Sequence, residues 1–226
     1  METTKFLELS RFIDHTLLKP DATEDQIRQL CKEALTHQFK GVCVNSSHIP
    51  LVKSMLLNSQ TLVVSVIGFP LGANLTASKS FEAQLAEENG AQEIDMVINI
   101  GAIKDRHWKK AEEDIRKVTQ SISAPVKVIL ETALLTTEEI VESCKIAEAA
   151  GAKFVKTCTG FSGGAATVEH VRLMRATVSK NIEVKASGGI KTLDQAQDLI
   201  VAGATRLGTS SGVQLVTGQS VAPQSY

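Results

Sequence analysis

Aromatic residues make up only 4% of the 226-residue chain, with one tryptophan and one tyrosine, so any core it builds is aliphatic. Cysteine is sparse too. Cys31, Cys43, Cys144 and Cys158 form no C-x-x-C pair, which argues against a disulfide scaffold and for a reducing compartment. Neither sign of charge is in excess: 24 basic residues face 25 acidic ones, a formal charge of −1. That balance gives no electrostatic reason to expect nucleic acid or an anionic membrane. Long apolar runs are missing as well. The stretch from Leu62 to Leu71 is broken by Ser65, Gly68 and Pro70, and no segment reaches the roughly 18 residues a membrane helix needs. METTKFLELSRFID holds no apolar signal-peptide core. Fifteen glycines and five prolines are too few for a low-complexity chain. No linker or charge block divides the sequence. The expectation is a soluble, cytoplasmic globular protein, with a 43% hydrophobic share sufficient for a full core.

What is present is a rhythm. Short runs rich in Val and Ile recur: FIDHTLL from Phe12, GVCV from Gly41, LVVSVIG from Leu62, EIDMVIN from Glu93, PVKVILE from Pro125, FVKT from Phe154, IEVKASG from Ile182 and RLGTSS from Arg206. Helical spacing fills the gaps. Ile27, Leu30, Cys31, Ala34 and Leu35 share one helix face, and Val171, Met174 and Val178 repeat the pattern. Thr23-x-x-Gln26, Thr136-x-x-Glu139 and Thr192-x-x-Gln195 read as capping boxes. Gly90, Gly151 and Gly203 each stop a helix just before a strand. Eight strand–helix units predict a single α/β domain over 1–226, a (β/α)8 TIM barrel, with a short helix and a tail over 213–226. A doubly wound sheet is the rival, but LLKPDAT after the first strand lacks the glycine-rich turn that fold favours.

In such a barrel, chemistry sits at the C-terminal strand ends. The polar residues there are Asp14 and Thr16, Cys43 and Asn45, Asp95 and Asn99, Lys127 and Glu131, Lys156 and Thr159, Lys185 and Ser187, and Ser210 and Ser211. Lys127, Lys156 and Lys185 lie inside consecutive strands, where an ammonium is costly. One such lysine is accounted for by a head that reaches water beside a carboxylate. Three point to convergence, where crowding lowers a lysine's pKa and makes an imine-forming nucleophile. Asp95 is either an ion-pair partner of Lys127 or a proton carrier beside the imine. Asp14 braces the barrel mouth or joins the site. Glycine-rich turns at Ser187-Gly188-Gly189-Ile190 and Gly208-Thr209-Ser210-Ser211-Gly212 suit an anion held by backbone N–H groups. The TGFSGG segment from Thr159 adjoins them. His15, His37, His48, His107 and His170 show no metal-ligand spacing, and His15 reads as structural. No Gly-x-Ser-x-Gly marks a serine hydrolase. Trp108 reads as a packing residue at a helix start. Tyr226 ends a polar tail. It is either without a role or a phenol that folds over the mouth to move a proton.

The segments IDHTLLKPDAT, GVCVN, EIDMVINIGAIK, VKVILET, FVKTCTGF, VKASGGI and GTSSG resemble the 2-deoxyribose-5-phosphate aldolases, in order from Ile13 to Gly212. The resemblance implies a class I aldolase that needs no metal or organic cofactor. Such an enzyme cleaves 2-deoxy-D-ribose 5-phosphate reversibly to D-glyceraldehyde 3-phosphate and acetaldehyde. It implies that Lys156 forms the Schiff base, that Lys185 lowers its pKa, and that Asp95 moves protons with Lys127 against it. Asp14, Cys43, Thr159 and Tyr226 are supporting positions. Gly188, Gly189, Gly208, Ser210 and Ser211 would hold the phosphate. Some relatives carry a basic residue after the TG of the FVKT-x-TG motif, where this chain has Phe161, so phosphate binding leans more on N–H groups and hydroxyls. Expected partners are a phosphorylated sugar and aldehydes, with neither nucleic acid nor membrane, and a homo-oligomer, dimer or tetramer. Another Schiff-base aldolase, or a barrel that only binds a sugar phosphate, are the alternative readings.

Overall fold

Parallel strands covered by helices outside and packed side chains inside must be apolar on both faces, and the short Val/Ile runs of this chain meet that demand. The computed structural model describes residues 9–218. Its strands are β1 (Ile13–Leu17), β2 (Gly41–Val44), β3 (Leu62–Ile67), β4 (Glu93–Val97), β5 (Val126–Ile129), β6 (Phe154–Lys156), β7 (Glu183–Ser187) and β8 (Arg206–Thr209). Each pairs in parallel with the next, and β8 pairs with β1 to close the barrel. This is the (β/α)8 barrel that the rhythm predicts, and all eight apolar runs fall on strands.

The outer layer is α1 (Glu24–Thr36), α2 (Ile49–Met55), α3 (Thr76–Asn89), α4 (Ile100–Lys104), α5 (Trp108–Ser121), α6 (Thr137–Ala149), α7 (Val168–Thr177), α8 (Leu193–Val201) and α9 (Gly212–Thr217). All three capping boxes form, each with both reciprocal bonds in place. They fix the starts of α1, α6 and α8 by satisfying N–H groups that have no partner within the helix. Gly90 caps α3 in the left-handed conformation. Gly151 and Gly203 lie one residue beyond the caps of α6 and α8.

α1 buries Ile27, Leu30, Cys31 and Ala34. Leu35, assigned to the same face by spacing, is instead 39% exposed. It lies in the last turn at the edge of the buried stripe, next to Ala34, which is fully buried. Val178 caps α7 rather than belonging to it. Trp108 opens α5 partly buried against the main core. His15 is bonded through Nε2 to Glu33 at 2.7 Å and lies 5.0 Å from the Phe39 ring, a structural position. The main core fills the space between strands and helices. A second, small apolar cluster of Leu18, Cys43, Val64 and Val66, with Phe69 against it, lies apart from that core. The tail from 219 onward, with Tyr226, lies outside the described residues.

Candidate active site

Alternation along a strand sends every second residue inward. On β4 this turns Glu93 and Asp95 the same way, and the sheet register sets Asp95 beside Lys127, Lys156 beside Lys185, and Lys185 beside Arg206. The lysines converge as anticipated, and they converge on Asp95. Its Oδ1 accepts from Lys127 Nζ at 2.8 Å, and its Oδ2 accepts from Lys156 Nζ and Lys185 Nζ, each at 2.8 Å. Lys185 also donates to Asp14 at 2.5 Å.

Below this layer lies a second one that the sequence reading missed. Arg206 donates to both oxygens of Glu93, at 2.7 and 3.1 Å, and to Asp14 at 2.9 Å. Lys127 reaches Glu93 at 2.7 Å. The Phe154 ring lies 5.5 Å from Lys127 Nζ and 5.2 Å from the Arg206 guanidinium, within cation–π range. The sequence signal was available: Glu93 sits two positions before Asp95, and Arg206 opens the eighth apolar run.

Three carboxylates and four cations therefore share one buried network. The reading of a lysine whose head reaches water fails for Lys127 and Lys185, whose side chains are fully buried. Lys156 alone of the three retains a contact with solvent, its side chain 4% exposed. Crowding does not lower Lys185. Burial pulls it down, but Asp14 and Asp95 outweigh burial and hold it above the ordinary lysine range. Burial would raise Asp95, yet Lys127, Lys156 and Lys185 bring it well below the usual carboxylate range. Asp14 is drawn down to about 2, where Lys185 and Arg206 prevail over burial. Cys43, in the apolar cluster, is pushed up to about 11 by burial and then by the charge of Asp95.

The remaining candidates lie around the mouth. Thr159, just after β6, donates its hydroxyl to Glu131. Gly188 and Gly189 form the turn after β7, with φ 97° and 71°. A Cβ there would stand 2.9 Å from the Gly164 carbonyl oxygen or 2.8 Å from Ala165 Cβ. Glycine is thus demanded by the β6 loop as well as suited to an anion. Gly208 lies within β8 rather than in a turn, and a Cβ there would collide with the Ser187 hydroxyl and approach Lys185 Cε at 3.1 Å. Ser210 and Ser211 are half-buried after β8. Thr209 Oγ1 donates to the Ile190 carbonyl at 2.8 Å and ties that loop to the one after β7. A cavity of about 610 Å³ opens at the other rim, lined by Arg11, Phe39, Lys40 and Thr61, away from the lysines.

A (β/α)8 barrel with ionisable side chains gathered inside its strands is an enzyme scaffold. The model of the DeoC/LacD family aldolases matches residues 10–217. A deoxyribose-phosphate aldolase of Bdellovibrio bacteriovorus is 55% identical, over 95% of this chain and 98% of that one. One of Staphylococcus epidermidis is 54% identical, over 92% and 96%. A solved tetrameric deoxyribose phosphate aldolase from Aeropyrum pernix superposes with a TM-score of 0.85 at 30% identity, over 95% of this chain and 94% of its own. The chain belongs to the DeoC/LacD aldolase family and is an aldolase, a carbon–carbon lyase.

Proposed function

We propose that the protein cleaves 2-deoxy-D-ribose 5-phosphate reversibly to D-glyceraldehyde 3-phosphate and acetaldehyde through a Schiff base on Lys156. The observation that carries this reading is the difference in access: Lys156 alone of the three clustered lysines meets solvent. The names of its relatives supply the substrate.

In this reading the neutral Lys156 amine attacks the C1 aldehyde. Asp95 Oδ2, bonded to both Lys156 and Lys185, relays protons directly or through a water as the carbinolamine loses its hydroxyl. Lys185 stays charged, held by two carboxylates. It acts as a fixed cation beside Lys156, bonded to the same Asp95 oxygen. The protonated imine is the electron sink when the 3-hydroxyl loses its proton and the C2–C3 bond breaks. The enamine takes up a proton at carbon, and water then frees acetaldehyde. Gly188, Gly189, Ser210 and Ser211 would receive the phosphate from the turns after β7 and β8, with Gly208 making room beneath. The four cysteines are free and buried, which suits a reducing, cytoplasmic setting. A homo-oligomer is part of the proposal, in line with the tetrameric relative.

The test is borohydride reduction with deoxyribose 5-phosphate, followed by peptide mapping. The adduct is expected on Lys156. An adduct on Lys127 or Lys185 overturns the assignment, and no adduct overturns the mechanism.

A further inference from the structure

Glu131 is a carboxylate without an assigned task. It follows β5 with its backbone in the left-handed region, φ 57° and ψ 58°, which few residues other than glycine adopt. Its side chain is fully buried. It accepts from the Thr159 hydroxyl at 2.5 Å, the Thr159 N–H at 3.2 Å and the Ser162 hydroxyl at 3.3 Å. These partners are an amide and two hydroxyls, not cations. A buried carboxylate held by neutral donors and a strained backbone are both costly, and such costs concentrate where a loop must be held in one shape.

All three donors belong to the loop after β6, which touches two other parts of the mouth. Thr159 Oγ1 accepts from the Phe161 N–H at 3.0 Å. The Phe161 ring meets the Phe69 ring edge-on, centroids 5.1 Å apart. Phe69 follows β3, and β4 and β5 stand between β3 and β6. The two loops therefore meet across the ends of the strands that carry Asp95 and Lys127. Farther along, the Ala166 N–H donates to the Gly188 carbonyl at 3.0 Å, and Gly164 and Ala165 lie where a side chain on Gly188 or Gly189 would project. The loop that Glu131 grips is interlocked with the Gly188–Gly189 turn.

We infer that Glu131 is a positioning residue. It fixes the β6 loop, and through it the Gly188–Gly189 turn, and so sets affinity for the phosphorylated end of the substrate while taking no part in the chemistry at Lys156. The inference rests on deoxyribose 5-phosphate being the substrate.

The experiment compares wild type and Glu131→Gln on deoxyribose 5-phosphate and on unphosphorylated 2-deoxyribose. Gln keeps the shape and removes the charge that orders the three donors. The KM for the phosphorylated sugar is expected to rise roughly tenfold, the size of one charged hydrogen bond. Its kcat, and kcat/KM for 2-deoxyribose, should move far less. Ser162→Ala removes one exposed donor and serves as the second variant if Glu131→Gln does not fold; a smaller shift in the same direction is expected. Equal losses on both sugars, or an unchanged preference for the phosphorylated one, overturn the inference. A wild-type protein inactive on deoxyribose 5-phosphate overturns the substrate reading and the inference with it. A wild type active on it, with variants that keep its preference, overturns the inference alone.

Discussion

Leu18, Cys43, Val64 and Val66, with Phe69 against them, form an uncharged cluster drawn from β2, β3 and the segments after β1 and β3. The strands from β4 to β8 instead contribute Glu93, Asp95, Lys127, Lys156, Lys185 and Arg206, and only Asp14 brings a charge from β1 to this network. The two regions depend on each other. Apolar walls keep water out, and without water the attraction between an ammonium and a carboxylate grows several-fold. The same exclusion makes any unmatched charge expensive. The charged region is therefore finely balanced, while the apolar region need only be dry and filled.

Changes on the two sides should differ in kind. Lys156→Leu is expected to bring turnover and borohydride trapping to background while circular dichroism stays native, because Asp95 keeps Lys127 and Lys185. Trapping that survives this change would break the assignment of chemistry to one lysine. Asp95→Asn leaves three buried ammonium groups without their shared anion, and urea denaturation should show a loss of about 3–5 kcal/mol. A loss well below that would mean that water enters the network.

Acid should dissect the charged side. Asp14 is lowered to about 2 in the folded protein, and Asp95 and Glu93 are lowered too. A lowered carboxylate contributes stability above its unfolded pKa of about 4 and loses it as pH falls toward the folded value; for Asp14 this amounts to about 2 kcal/mol between pH 4 and 2. Denaturation curves through that window should flatten in Asp14→Asn. Smallest is Val64→Thr in the apolar cluster. A buried hydroxyl there should cost about 1–2 kcal/mol in urea denaturation and leave kcat little changed. A large fall in kcat would show that the apolar side touches the reacting carbons.

Much of this was legible in the chain. Strand runs, capping boxes and glycine stops are local signals, and locally they held. Convergence of Lys127, Lys156 and Lys185 followed from three consecutive strands carrying the same anomaly. Contacts across the barrel were not legible. Whether Arg206 meets Glu93 depends on the stagger of the closed sheet, which no segment records. Leu35 satisfied the helical period and still ended up exposed, because the period admits residues at the edge of a face as well as at its centre. The glycines after β7 show another limit. A signal read as room for an anion is equally room for the β6 loop, since both are close approaches to a bare backbone. Glu131 stood among the polar strand-end residues, but nothing in its neighbours announced a left-handed backbone.

The ion pairs of Asp14 join residues far apart along the chain. Its partner Lys185 is 171 positions away and Arg206 is 192 away. Both arrive with the last two strands. During synthesis, then, the carboxylate of the first strand has no direct ion-pair partner until nearly the whole chain is present, and closing the barrel and pairing Asp14 become one event. Such long-range closure makes for slow folding, and until it happens a partly assembled barrel must leave that carboxylate open to water. The ion pairs that tie the last strands to the first in the finished barrel are the ones an unfinished barrel lacks.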